Sequence, residues 1–269
     1  MQMIQALRQH WPEYLMEAAG LGIFMISASL CTILLEYPGS PVHSLIPSDL
    51  VRRALIGVAM GLTAIGIIYS PWGKQSGAHI NPAVTLTFFR LGKIAPWDAL
   101  FYVLAQFLGG LAGVLLVAAV LGRIMAHPAV NFVATLPGLH GSAIAFVTEL
   151  GISFGLMLMV LVTTNTGNLG RYTGLFAGIL VATYITVEAP FSGMSMNPAR
   201  SLASALPGRM WQDLWIYFTA PPLGMLLAAE AYIHSRGIAK IFCAKLNHHN
   251  HKRCIFCDYQ AAKKPEHIR

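Results

Sequence analysis

Ser76-Gly77-Ala78-His79-Ile80-Asn81-Pro82-Ala83 recurs as Ser192-Gly193-Met194-Ser195-Met196-Asn197-Pro198-Ala199, 116 residues further along the chain. One Asn-Pro pair says little, because Asn is a good helix N-cap and Pro suits the first helical position. Ser, Gly, Asn, Pro and Ala repeated in register are different: one given alignment does this by chance at odds of roughly one in a million. The chain is therefore two related halves.

Of its 269 residues 55% are hydrophobic and 11% charged, whereas soluble domains carry about 25% charged residues. This is a membrane composition. Apolar spans are expected at about 14–35, 50–69, 97–121, 142–164, 173–190 and 211–235, each near the roughly 20 residues needed to cross a bilayer. The two Asn-Pro-Ala segments fall outside them, each after the second span of its half. Each half then reads as two helices, a short re-entrant segment and a third helix. Three crossings per half invert the second half relative to the first. The expected fold is an all-α membrane protein, six transmembrane helices plus two re-entrant half-helices in an inverted repeat. The channel domain covers 1–235, with repeats at about 12–125 and 140–235, and a basic tail covers 236–269.

Residues 1–13 are polar and amphipathic, so no cleavable leader is expected. The side carrying both termini would hold 13 of the 18 Lys and Arg residues, which makes the termini cytoplasmic by the positive-inside rule. The net charge of +7 lies mostly in the tail and reads as that anchor, not as a nucleic-acid surface. No motif pairs a nucleophile with a base, so an enzyme is not expected.

After Asn81 and Asn197 the chain reads as helical for about nine residues, to Arg90 and Leu206. Two such half-helices end to end span about 27 Å, close to the membrane core. Their N-termini would meet near the midplane, each with roughly half a positive charge, and oppose cations. Each Asn oxygen can cap its own half-helix while the amide NH2 points into a lumen as a donor. A water there must turn its oxygen to both amides, which interrupts a proton wire. Non-helical backbone at this depth belongs in protein or along a wet cavity.

In these motifs, including Asn197-Pro198-Ala199-Arg200-Ser201, the chain resembles the aquaporin, or major intrinsic protein, family over about residues 12–238. The resemblance is to prokaryotic-type members and nearer the water-channel branch than the glycerol facilitators. It implies one pore per protomer, a homotetramer, no cofactor, and a plasma membrane location, a bacterial inner membrane in particular. Exclusion of protons and cations by an Arg and by half-helix dipoles is a general aquaporin property. By the same resemblance Glu17, Glu149 and Gln106 support the re-entrant loops, and His79 lies near the cytoplasmic pore mouth. Glycines spaced GxxxG (Gly57/Gly61, Gly109/Gly113, Gly151/Gly155, Gly174/Gly178) are expected at close helix contacts.

Carried onto this chain, the family's filter falls on Met60, Ile185, Met194 and Arg200. Where strict water channels carry Phe and His, this chain has Met60 and Ile185. A filter of Met, Ile and Met is less polar, which points to small neutral solutes such as glycerol, ammonia or hydrogen peroxide beside water. Ser201, Ala205, Tyr217-Phe218 and the 116-residue spacing resemble the water branch instead. A water channel with a relaxed filter reconciles the two. A solute facilitator with little water flux and a secondary transporter stay open as alternatives, as does a metal-sensing membrane protein. The last reading rests on the tail, where His248, His249, His251, Cys254 and Cys257 have spacing suited to zinc or copper. Glu188, at the end of the fifth span, has no role in this reading.

Overall fold

The computed structural model describes residues 2–263. Among them the regular structure is helical: α1 (Met3–Glu36), α2 (Pro41–Leu45), α3 (Asp49–Tyr69), α4 (Pro71–Ser76), α5 (Pro82–Arg90), α6 (Pro96–Met125), α7 (Gly141–Thr164), α8 (Thr173–Ser192), α9 (Pro198–Gly208), α10 (Leu214–Arg236) and α11 (Ile255–Lys263), with three short 3-10 turns. Six of these helices, α1, α3, α6, α7, α8 and α10, are long and apolar enough to cross a membrane. Their outer faces expose residues such as Leu62, Leu108, Val120 and Val147. In water that exposure would be costly; against acyl chains it is not.

The duplication is visible in the packing. α1 lies along α6 in the first half as α7 lies along α10 in the second, and α3 meets α8 between the halves. Small residues set these distances. A methyl group on Gly109 would sit 2.1 Å from the Ala18 carbonyl oxygen, and Gly61 and Gly178 approach each other's carbonyls comparably. Gly109→Ala should therefore force α1 and α6 apart and cost about 2 kcal/mol or more. The check is the thermal midpoint of the detergent-solubilised protein, and an unchanged midpoint would mean the helices separate freely. Of the expected glycine pairs, Gly151 departs: a Cβ there meets open space.

Other expectations need correction. The first helix starts at Met3, about eleven residues earlier than its apolar span, because residues 3–13 continue it past the hydrocarbon. This extension is tied down by His10 and Tyr14, both bonded to Asp98 (2.8 and 2.6 Å). The third span continues to Met125 beyond a break at Leu121, which has non-helical dihedrals. The halves also differ before their motifs. α8 runs unbroken through Pro190 to Ser192, whereas the first half breaks at Ser70 and restarts as α4. Finally, much of the tail packs against the bundle: Ile241, Cys243, Ala244, Lys245, Leu246, Ile255 and Phe256 are all buried.

Candidate functional site

Both re-entrant helices begin as their sequences dictate. Asn81 Oδ1 accepts from Ala83 N (2.9 Å), and Asn197 Oδ1 accepts from Ala199 N (3.0 Å) and Arg200 N (3.2 Å), with Pro at the first helical position in each. α5 ends at Arg90 as expected; α9 runs two residues past Leu206, to Gly208. The amide groups refine the expected picture. Asn81 Nδ2 donates to the Met196 carbonyl (2.7 Å), and Asn197 Nδ2 donates to the Ile80 carbonyl (2.8 Å). One N–H of each amide thus ties its loop to the other half. The second N–H remains for the cavity that both residues line.

The loops before the two asparagines repeat each other dihedral by dihedral. Ala78 and Met194 have φ of 54° and 50°, and Ile80 and Met196 have φ of 41° and 54°. Non-glycine residues in the left-handed region cost roughly 1–3 kcal/mol each, so something must hold them. Glu17 holds the first loop, accepting from Ser76 Oγ (2.7 Å), His79 N (3.1 Å) and Ile80 N (2.6 Å), with Gln106 Nε2 on the same carboxylate (2.8 Å). Glu149 holds the second, accepting from Ser192 Oγ (2.7 Å), Ser195 N (2.6 Å) and Met196 N (2.8 Å). Both carboxylates are fully buried, and the N–H groups they satisfy would otherwise be orphaned in the membrane.

Sequence reasoning missed a third repeated pair. Tyr102 OH donates to the Ser76 carbonyl (2.7 Å) and Tyr217 OH to the Ser192 carbonyl (2.6 Å). Their offset of 115 residues was the available signal. Glu188, unexplained by sequence, lies on the Ser192 hydroxyl that also bonds Glu149.

A continuous cavity of about 570 Å³ runs between the halves. At one end it is lined by Glu36, Asp49, Arg52 and Arg53, and at the end nearer the termini by Ala78, His79 and the tail residue Leu246. Met60, Ile185, Met194 and Arg200 all line it, as do Asn81 and Asn197. Arg200 is held by its Nη1, which donates to the Val133 carbonyl (2.8 Å). That carbonyl belongs to a turn in which Asn131, Phe132 and Val133 all have positive φ, a feature without a sequence signal because none is glycine. His79 is no free mouth residue. It is 2% exposed, with Nε2 against the Ala244 carbonyl (2.7 Å) and Nδ1 against Thr85 Oγ1 (3.0 Å).

Of the tail candidates, His248, Cys254 and Cys257 come together, joined by Cys243, which sequence reasoning left out. His249 and His251 are exposed and stay outside that cluster. Cys243 precedes the Cys-x-x-Cys pair by eleven residues of irregular chain, so no spacing rule marks it.

A family model of the major intrinsic proteins matches residues 4–232. The chain is 37% identical over 220 residues to the protein named Aquaporin NIP2-3 of Zea mays, covering 80% of this chain and 70% of that one. It is 34% identical over 237 residues to Aquaporin NIP2-1 of Oryza sativa subsp. japonica, covering 86% and 74%. Its fold matches that of the aquaglyceroporin from Plasmodium falciparum with a TM-score of 0.69 at 20% identity, covering 83% of this chain and 96% of the other. With two Asn-capped half-helices around one membrane cavity, the chain belongs to the major intrinsic protein family and is a channel, not an enzyme.

Proposed function

We propose that this channel passes water as its main solute together with small neutral solutes such as glycerol, ammonia or hydrogen peroxide, and excludes protons and ions. The observation that carries this reading is the makeup of the cavity wall where Met60, Ile185 and Met194 share it with Arg200. Ile185 replaces the one His donor of a strict water filter and leaves three apolar side chains on the wall, and the guanidinium repels cations while donating to an uncharged solute. Asn81 and Asn197 act as the central donors. The converging N-termini of α5 and α9 add a positive barrier. Glu17 and Glu149 act as loop supports, since their carboxylates accept from the loop N–H groups, and Gln106 acts by holding the Glu17 carboxylate.

The protein works as a homotetramer in the plasma membrane, with 1–235 as the channel and 236–269 as an appended cytoplasmic segment. The excess of Lys and Arg on the terminal side supports this orientation. Stopped-flow light scattering of proteoliposomes tests the solute reading. Fast shrinkage in sucrose and fast re-swelling in glycerol are expected; shrinkage without re-swelling would restrict the channel to water. Ile185→His should add a longer, planar side chain and a donor to the wall. Glycerol flux is then expected to fall about tenfold, a barrier change of about 1.4 kcal/mol, with water flux nearly unchanged. Equal glycerol flux in variant and parent would remove Ile185 from the filter.

A further inference from the structure

The family match ends at residue 232, before the tail begins. The tail is nevertheless seated on the pore. Leu246 N donates to the Gly77 carbonyl (3.1 Å), and the Ala244 carbonyl accepts from His79. The Phe256 ring stacks on the His79 ring at 5.4 Å with an interplanar angle of 4°. Arg253 bonds the Gln9 carbonyl (2.6 Å) and pairs with Glu13 (3.4 Å). Leu246 itself lines the end of the pore cavity nearer the termini.

Little in the tail's own backbone explains this order. Between Gly237 and Cys254 it has one 3-10 turn, Ile238–Lys240, and no longer helix or strand. What the segment does have is a cluster of four side chains, Cys243, His248, Cys254 and Cys257, whose ligand atoms all lie within 4.8 Å of one another. Cys243 Sγ is 3.5 Å from Cys254 Sγ and 3.8 Å from Cys257 Sγ, and His248 Nε2 is 3.2 Å from Cys257 Sγ. A tetrahedral zinc with Zn–S bonds of about 2.3 Å sets its sulfurs about 3.8 Å apart, so these edges suit one four-coordinate ion. A disulfide would use two sulfurs and leave a third thiol and an imidazole converging on nothing. Three thiolates and one imidazole are a zinc-class donor set, too soft for magnesium or calcium.

We propose that Cys243, His248, Cys254 and Cys257 bind one zinc-class ion, and that the ion clamps residues 241–256 as a cap over the pore mouth nearer the termini. The capping half rests on the channel reading above; the metal site does not. Binding releases the three thiol protons to the medium and stabilises a fold that the segment cannot hold by backbone bonds. Loss of the ion frees Leu246 and Phe256 to leave the mouth, so the metal-loaded channel is the slower one.

The test uses the full-length protein, reduced and stripped with a chelator. Titration with cobalt should give one ion per chain, with sulfur-to-cobalt charge-transfer absorption and tetrahedral d–d bands that zinc abolishes. Cys254→Ser with Cys257→Ser should lose the spectrum, and His249→Ala with His251→Ala should keep it. In proteoliposomes, water flux should rise severalfold on chelation and return with zinc, while the double serine variant stays fast in both conditions. Absence of a stoichiometric cobalt spectrum in the parent overturns the site. A full spectrum with flux indifferent to zinc overturns the cap. Both readouts exist for the parent protein, so a variant that fails to fold does not block the decision. Flux absent with and without chelator, beside a normal spectrum, would count against the channel reading instead.

Discussion

Glu149→Gln is expected to abolish water flux and to lower the stability of the channel sharply. The carboxylate accepts from Ser192 Oγ, Ser195 N and Met196 N and faces no water. Glutamine keeps one acceptor oxygen and turns the other into an NH2 group, which must point at donors. At least one buried N–H then loses its partner, at about 1–3 kcal/mol. The same loop holds Met194 and Met196 at positive φ, and that strain of roughly 1–3 kcal/mol per residue would no longer be offset. The loss falls directly on the segment that presents Met194 and Asn197 to the pore. Glu188→Gln is the matched control. Its contact is with the Ser192 hydroxyl, and a glutamine oxygen can still accept from that hydroxyl, so flux near that of the parent is expected. Stopped-flow flux and thermal midpoints of the two variants decide. Normal flux in Glu149→Gln would mean that Tyr217 and the cross-bonds of the asparagines suffice to hold the loop.

Arg200→Val should do the opposite to permeation, opening the pore to solutes it now rejects. The guanidinium shares the cavity wall with Met60, Ile185 and Met194 and is fixed in place by the Val133 carbonyl. A unit charge about 4 Å from a passing cation contributes about 4 kcal/mol at an effective dielectric constant near 20, before water in the lumen screens it. Even half of that is more than a factor of ten in rate. Valine also removes the bulk of the side chain. The expected result is a glycerol flux about tenfold higher together with a proton leak absent from the parent, read by a pH dye inside proteoliposomes. A variant as proton-tight as the parent would assign the whole cation barrier to the half-helix N-termini and the two asparagine amides.

The features legible from residues alone share a property: each is written within a few neighbouring positions or repeated at a fixed offset. Apolar runs near 20 residues located the six crossing helices, and Asn followed by Pro located the starts of α5 and α9. The offset of 116 residues announced two halves, and the structure repeats that offset in backbone dihedrals and in the loop contacts of Glu17 and Glu149. Helix ends were less legible. α1 reaches back to Met3 because a helix need not stop where the hydrocarbon does, and hydropathy reports only the hydrocarbon.

Sequence alone determined the membrane class, the inverted repeat and the half-helix caps, because spacing and periodicity are properties of the chain; the residues around Arg200 came from the family resemblance, not from any period. Only the tertiary structure decided that Asn81 and Asn197 bind across the halves, that the Val133 carbonyl anchors Arg200, and that Cys243 joins His248, Cys254 and Cys257 in one cluster. Those contacts join residues through irregular backbone or between separate elements, where no period connects the partners and three-dimensional packing alone brings them within bonding distance.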